Sequence, residues 1–408
     1  MEKFRFGIIG CGGRGKGMYN LALKHRNDLE YVALCDPYED KAEAIADDIV
    51  RDGHERPRVY TDHKQMLDSE KLDAVLVSTS WKEHIPVSIC AMEHGVAVCC
   101  EVGGAYSLED LWDLVNCYNR TKTPVMMLEN CCYGRLELLA LNMHRKGLFG
   151  ELVHCECGYC HDLRDEVCDG EQMRHYRKRQ YELWNCDNYP THGIGPLAKI
   201  LNINCGNKFL TINSVGSKSI GMHDFAVNQR PDNKELHNVR FNQSDVVTSI
   251  IKCANGETIT VTLDTAVPRY YSRNFFLEGT KGMLDERGNA IFLEADGPHP
   301  KYPHIPGYIN NVDKYYEKYD HPIWKNFDPT GIGHDGMDFL VFEGFFGALH
   351  ANKPMPIDVY DYAAWAAISV LSEQSIAMGG APVPFPDFTR GEWTTRKNTF
   401  LTEYDEEK

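Results

Sequence analysis

Phe4-Arg5-Phe6-Gly7-Ile8-Ile9-Gly10-Cys11-Gly12-Gly13-Arg14-Gly15 decides the fold. Its first half is an apolar run of strand length, and G-x-G-x-x-G follows at once. The glycine pattern alone is weak. Between a strand and a helical stretch it has a mechanical reading. Gly10 permits a tight turn, Gly12 lets backbone approach a pyrophosphate, and Gly15 lets helix and strand pack closely. The helix N-terminus then offers unpaired N–H groups and partial positive charge to phosphates. Tyr31-Val32-Ala33-Leu34-Cys35-Asp36 is a second apolar run, ending in an acid. That acid stands about 20 residues beyond the last glycine, where a carboxylate accepts the ribose hydroxyls of NAD and repels a 2′-phosphate. The expected cofactor is therefore NAD rather than NADP.

Outward from this stretch, strand and helix signals alternate. Residues 72–80 (LDAVLVSTS) and 96–102 (VAVCCEV) are nearly continuous apolar runs, the mark of strands buried on both faces in a parallel sheet. A helical segment over 85–94 stops at Gly95, and Ser107-x-x-Asp110 opens the next. Pro124 closes the pattern, so residues 1–124 read as an NAD-binding Rossmann domain. A helix over 136–146 stops at Gly147. Segments with strand character then cover 152–159, 247–253, 257–265, 274–278 and 283–286, the last two flanking the hairpin signal Gly279-Thr280-Lys281-Gly282. Strands following βαβ units predict a second domain, α+β, with a large open, mostly antiparallel sheet over 125–388. The proline-rich 298–306 reads as a loop, 358–378 as a helix, and 389–408 as a C-terminal tail frayed at Asp405-Glu406-Glu407-Lys408. The fold class is α/β.

Composition excludes several classes. With 408 residues the chain can bury a full core, and its charge of −16 opposes nonspecific binding to nucleic acid or to an anionic membrane. No apolar run approaches the ~20 residues of a spanning helix. Met1-Glu2-Lys3 leads straight into a strand with no secretory pattern, and 15 cysteines, an odd number, fit a reducing compartment better than a disulfide framework. The expected setting is the cytoplasm.

A sugar dehydrogenase of this architecture carries Glu-Lys-Pro at a Rossmann strand end, the lysine relaying the substrate proton. Here the stretch is Glu101-Val102-Gly103. Proton handling must then come from the second domain, which holds three clusters: Gly158-Tyr159-Cys160-His161-Asp162-Leu163-Arg164, Arg177 with Tyr189-Pro190-Thr191-His192-Gly193, and Arg269-Tyr270-Tyr271. Together with Trp81-Lys82-Glu83-His84, Glu129-Asn130, Gly333-His334-Asp335-Gly336-Met337-Asp338 and Asp358-Val359-Tyr360-Asp361, these motifs span most of the chain. By them it resembles glycoside hydrolase family 109, within the Gfo/Idh/MocA oxidoreductase superfamily. Gly103 departs from the proline usual there, and 165–173 is shorter than in many members.

The resemblance implies a glycosidase that uses tightly bound NAD as a catalyst and cleaves terminal glycosides, most directly α-N-acetylgalactosaminides. It implies transient oxidation at C3, C1–C2 elimination of the aglycone, addition of water at C1 and re-reduction at C3. NAD contacts fall, by resemblance, on Gly13, Arg14, Asp36, Trp81, His84, Glu101, Val102, Asn130 and Tyr189, joined by Gly10, Gly12 and Gly15 of the turn. Substrate contacts fall on Tyr159, His161, Arg164, Arg177, Tyr189, Thr191, His192 and Tyr271. The catalytic candidates are Tyr159, His192 and Tyr189. Histidine, with an ordinary pKa near ~6.5, suits a proton shuttle to the C3 hydroxyl. Tyrosine titrates near ~10 and needs nearby positive charge to act as a base, which Arg177 or Arg164 can supply. Tyr159 is assigned to the C2 proton and Tyr189 to the cofactor side.

Plainer readings stand beside these. Tyr159 and His161 alternate as ordinary strand residues would. Trp81 can be core, Glu129-Asn130 a helix cap, and 333–338 a loop and cap without catalytic role. The run from His154 to His161, with Cys155, Cys157 and Cys160, superficially resembles metal ligands but offers one hook where structural zinc usually has two, so no metal is expected. Arg174-His175-Tyr176-Arg177-Lys178-Arg179 reads as a site rim. Competing functions are a sugar dehydrogenase or epimerase, disfavoured by the missing lysine, and a non-catalytic NAD or sugar sensor. The expected partner is a small molecule or glycan with a terminal sugar, with no nucleic acid and no membrane. By analogy of architecture the chain is expected to form a homo-oligomer.

Overall fold

The computed structural model describes residues 3–325, 327–330 and 332–404. Met1, Glu2 and the frayed end expected at 405–408 lie outside them. The chain divides into two compact units. The first comprises Met1–Gly134, Ile323–Ala363 and Thr399–Lys408; the second comprises Arg135–Pro322 and Ala364–Asn398.

The first unit begins with β1 (Phe4–Ile9), α1 (Gly13–Leu21), β2 (Leu29–Cys35), α2 (Glu39–Arg51), β3 (Arg58–Tyr60) and α3 (His63–Ser69). It continues through β4 (Ala74–Val77), α4 (Trp81–Glu93), β5 (Ala97–Cys100), α5 (Leu108–Thr121) and β6 (Val125–Met127). The strands lie in the order β3-β2-β1-β4-β5-β6, all parallel. Strands β4 and β5 are buried at every residue, as their unbroken apolar runs require. Ser107 caps α5, its Oγ accepting the Asp110 N–H at 3.0 Å. The order reverses between β1 and β4, so the glycine turn after β1 stands at the switch point where open α/β sheets bind ligands.

The second unit holds α6 (Arg135–Arg145), β7 (Leu152–Cys160), α7 (Arg164–Cys168), α8 (Arg177–Leu183), α9 (Thr191–Ile200), β8 (Phe209–Gly216) and α10 (Gly221–Gln229). It adds β9 (Val246–Cys253), β10 (Thr258–Asp264), β11 (Phe276–Gly279), β12 (Gly282–Asp285), β13 (Ala290–Leu293) and α11 (Asp313–Tyr319). After α12 (Pro322–Lys325), α13 (Met337–Ala351) belongs to the first unit, and α14 (Val359–Ala377) leads to β14 (Val383–Pro384) in the second. The second sheet runs β13-β12-β11-β7-β10-β9-β8-β14 and is antiparallel except where β7 meets β10. Along β10 burial alternates strictly, with Ile259, Val261 and Leu263 sealed and the threonines between them half-exposed. That is the signature of a sheet with one packed face.

Two boundaries differ from the sequence reading. The sheet of the first unit continues past 124, because β6 pairs with β5. The segment read as tail contributes to that unit's core: Phe400 is buried, its ring 5.4 Å from that of Tyr133. Helix α13 packs on β1, the Phe346 ring lying 5.5 Å from both Phe4 and Phe6. Strands β3, β6, β8, β13 and β14 were not read from the sequence. Phe209–Gly216 interrupts its apolar residues with Thr211, Asn213 and Ser214, and β13 has only four residues.

Candidate active site

The glycine turn has the shape its sequence demands. Gly10 sits at φ 97°, and a Cβ there would lie 2.4 Å from the Ser78 backbone. A Cβ at Gly15 would lie 2.1 Å from the Gly10 oxygen, so helix and turn touch. Above Gly12 and Gly13 nothing comes within 4 Å of an added Cβ. The helix start is thus tight underneath and open outside, and no side chain caps its N-terminus. Asp36, buried at the end of β2, accepts the Cys11 N–H and the Tyr38 N–H at 2.8 Å each. Its carboxylate is held in place with lone pairs to spare. A dinucleotide fits this arrangement: phosphates at the open helix start, ribose hydroxyls at Asp36.

The other first-unit candidates lie on the carboxyl ends of the sheet. Trp81 and His84 open α4 and are buried. Burial drops the His84 pKa to about 4, so the ring is neutral and its Nε2 donates to the Thr79 carbonyl at 3.1 Å. Gly103 has a physical reason for not being proline: an atom at its Cβ position would lie 2.3 Å from the Trp81 indole. Glu101 follows β5 and takes the Arg14 Nε–H at 2.9 Å and the Val102 N–H at 3.2 Å. Glu129 does cap the short turn after β6, accepting from the Cys131 N–H at 3.1 Å. Asn130 beside it is directed elsewhere, to Asp338.

The second unit gathers an aromatic and basic cluster. Helix α9 lies so close on β7 that a Cβ at Gly193 would be 2.7 Å from the Gly158 nitrogen. This contact brings the start of α9 to the end of β7. The Tyr159 ring sits 4.5 Å from Tyr189, 5.5 Å from His192 and 6.3 Å from Tyr271, and the Tyr189 ring 4.9 Å from His192. The Tyr159 hydroxyl is 3.0 Å from His161 Nδ1. Burial, then the positive charge of Arg177, lowers the His161 pKa, so its imidazole is neutral near pH 7. Arg177 reaches over the Tyr189 ring, 5.3 Å from its centroid, and pairs through Nε with Glu166 at 3.2 Å. Burial works against the Arg177 charge, but Glu166 and the tyrosines Tyr159, Tyr176 and Tyr189 hold its pKa above the usual arginine value. Thr191, at the first turn of α9, is fully buried. Tyr271 is half-exposed, and Arg273 donates to its hydroxyl at 3.3 Å.

Arg164 is placed differently. Its guanidinium is bonded to Asp162 at 2.8 and 2.7 Å and lies 4.9 Å from the Phe225 ring. It lines a groove with Ile220, His223, Asp224 and Val267, not the tyrosine cluster. Cys155 and Cys157 point into the core of the second unit, where burial pushes their thiols well up, as packing groups rather than thiolates. Sequence reasoning missed Glu166 and Asp187. The latter is 1% exposed, two positions before Tyr189, and neither carboxylate oxygen has a well-formed hydrogen bond. Nothing in a local motif marks either acid; only the fold brings them in.

Residues 4–128 match the family model for the oxidoreductase family, NAD-binding Rossmann fold. Residues 133–395 match that for glycosyl hydrolase 109, C-terminal domain. An alpha-N-acetylgalactosaminidase of Tannerella forsythia is 40% identical, the match covering 97% of this chain and 88% of that one. A glycosyl hydrolase family 109 protein of Parabacteroides distasonis is 39% identical over 98% and 89%. Among solved structures, levoglucosan dehydrogenase in complex with NADH and levoglucosan superposes with a TM-score of 0.69 at 18% identity, over 94% of this chain and all of that one. Myo-inositol 2-dehydrogenase from Lactobacillus plantarum gives 0.66 at 16%, again over 94% of this chain and all of the other. These two share the fold. With an NAD-binding Rossmann domain followed by the hydrolase domain, the chain belongs to glycosyl hydrolase family 109, the NAD-dependent glycosidases.

Proposed function

We propose that this enzyme removes terminal N-acetylgalactosamine from α-linked glycosides by the elimination route. The reading is carried by the convergence of Tyr159, His161, Tyr189, His192 and Arg177 in one second-unit cluster. It is supported by relatives of nearly full length that bear the name alpha-N-acetylgalactosaminidase. NAD is held by the glycine turn and Asp36, with Trp81, His84, Glu101, Val102 and Asn130 around it. Bound, it supplies a reversible hydride acceptor for the sugar C3, and the resulting ketone acidifies the C2 hydrogen.

His192 takes the C3 hydroxyl proton and later returns it. Tyr159 takes the C2 proton. Its phenolate is favoured by Arg177, whose charge is felt at Tyr159, and by the His161 ring at 3.0 Å. Tyr189 serves the cofactor side, and Arg177, Thr191 and Tyr271 orient the sugar. Loss of the C2 proton expels the aglycone from C1; water then adds at C1. The fifteen thiols, none in a disulfide, support a cytoplasmic setting. The apolar residues Val153, Leu210, Val215 and Ile250, exposed on the second sheet, support a homo-oligomer.

Incubation with an aryl α-N-acetylgalactosaminide in heavy water tests the reading. Deuterium at C2 of the released sugar, with no accumulating NADH, is the expected result. Stoichiometric NADH would make the enzyme a dehydrogenase instead, and release without C2 label would rule out the elimination.

A further inference from the structure

We propose that Asp338 is a positioning residue of the NAD site, and that the turn over 333–338 latches the glycine-rich turn in its binding shape. The proposal rests on the reading of that turn as the dinucleotide site. Arg14 is the second residue of α1, yet its guanidinium is committed to carboxylates. Its Nε donates to Glu101 at 2.9 Å, and Nη1 and Nη2 form a two-pronged pair with Asp338 at 2.8 Å each. Asp338 lies 324 residues downstream and its side chain is wholly buried. Its Oδ1 also accepts from Asn130 Nδ2 at 2.8 Å, and its Oδ2 from His334 Nδ1 at 2.7 Å. Four donors fill the four acceptor positions a carboxylate offers. Bidentate charge-assisted bonds are among the strongest a side chain makes. Burial opposes the charge, but the bonds from Arg14 and His334 hold the Asp338 carboxyl far below the usual range.

The backbone delivering these groups is bent to do so. His334, Asp335 and Gly336 occupy the left-handed region in succession, at φ 48°, 52° and 93°. Two of the three are not glycine, and such conformations persist where surrounding contacts over-determine them. Gly333 rests against Leu21 at the end of α1, where a Cβ would come within 2.7 Å of the leucine. One motif thus touches both ends of the helix whose open N-terminus would take the phosphates. Because the Arg14 nitrogens face Glu101 and Asp338, phosphate binding at this position falls to backbone N–H groups. Their aim depends on Arg14 being held. The same carboxylate fixes Asn130 beyond β6, so one buried acid sets two candidate cofactor contacts.

The test is exchange of protein-bound NAD against labelled NAD, measured on the purified holoenzyme beside sugar KM and thermal midpoint. Asp338→Asn keeps the shape but replaces two acceptor positions with donors, and should exchange NAD about 10–100-fold faster. His334→Ala removes one exposed donor, leaves the core intact, and should exchange about 3–10-fold faster. Sugar KM should not change in either variant. Arg14→Gln breaks this pair and the Glu101 bond, and combined with Asp338→Asn it should exchange NAD no faster than Arg14→Gln alone, since the Arg14–Asp338 pair is lost in both. Unchanged exchange in both single variants, or a multiplied loss in the combined one, overturns the latch while leaving the cofactor site standing. Wild-type protein that neither carries nor takes up NAD overturns both.

Discussion

Asp187 should make the second unit weaker as the pH rises from about 4 to 7. Burial pushes its pKa up to about 7, the Tyr189 backbone N–H pulling slightly the other way. Among the ionisable groups that feel its charge are the thiols of Cys157, Cys160 and Cys186, none of them a cation. Its main chain is fixed: the N–H donates to Ser372 Oγ at 2.9 Å, and the carbonyl accepts from Ser369 Oγ at 2.7 Å. The side chain therefore cannot turn out to water without releasing α14. In the unfolded chain an aspartate titrates near 3.9, and each pH unit of difference is worth about 1.36 kcal/mol. Below about pH 4 both states hold the proton and the residue is neutral to stability. Between about 4 and 7 the folded state alone keeps it, so stability falls as pH rises. Above 7 the full cost is about 4 kcal/mol. Asp187→Asn removes the titration. Urea unfolding should find the variant about 2 kcal/mol further ahead of wild type at pH 8.5 than at pH 5.5. Any constant offset from the new amide cancels in that comparison. A gap that does not change with pH would refute the argument.

Three further outcomes follow from the same contacts. Arg273→Met strands the buried Glu137 carboxylate, now paired with Arg273 Nε at 2.7 Å, and should cost about 3–5 kcal/mol at pH 8. Burial already raises the Glu137 pKa, so the loss should shrink toward pH 5 as the carboxyl takes up a proton. Adding Glu137→Gln should recover most of it in denaturant titrations. Gly15→Ala drives a methyl to 2.1 Å from the Gly10 oxygen, and should lower stability by about 1–3 kcal/mol and strip NAD from the purified protein. Tyr159→Phe should cut kcat by about 10²–10⁴-fold and abolish deuterium entry at C2 while leaving NAD bound. Full activity in that variant, with turnover lost in Tyr189→Phe, would reverse the two assignments.

What could be read from the chain in advance was what is written locally. The turn from Gly10 to Gly15, Asp36 at a strand end and the unbroken runs of β4 and β5 each specify their structure within a dozen residues. The paired motifs around Tyr159 and His192 are equally local, although their meeting needed α9 to lie on β7. What escaped was partnership across distance. Glu166 under Arg177, Glu137 under Arg273 and Asp338 under Arg14 are single acids in helical sequence, with no periodicity or spacing to announce a cation. Arg164 shows the converse: it belongs to a motif with Tyr159 and His161, yet the chain turns after Asp162 and carries it toward Phe225. The 333–338 stretch was legible as a motif and not as a function, because its purpose lies in a helix made at the opposite end of the sequence.

That separation has a consequence for biosynthesis. A ribosome adding about 5–20 residues per second finishes the sixth parallel strand and then needs about 10–40 s more to reach Asp338. During that interval Arg14 and Asn130 exist without their shared acid, and Phe4 and Phe6 without the phenylalanine that covers them. The nucleotide-binding half is therefore a late product of translation rather than an early one. Nascent chains released before α13 should be clients of chaperones, and a gene fragment ending at β6 should yield insoluble protein.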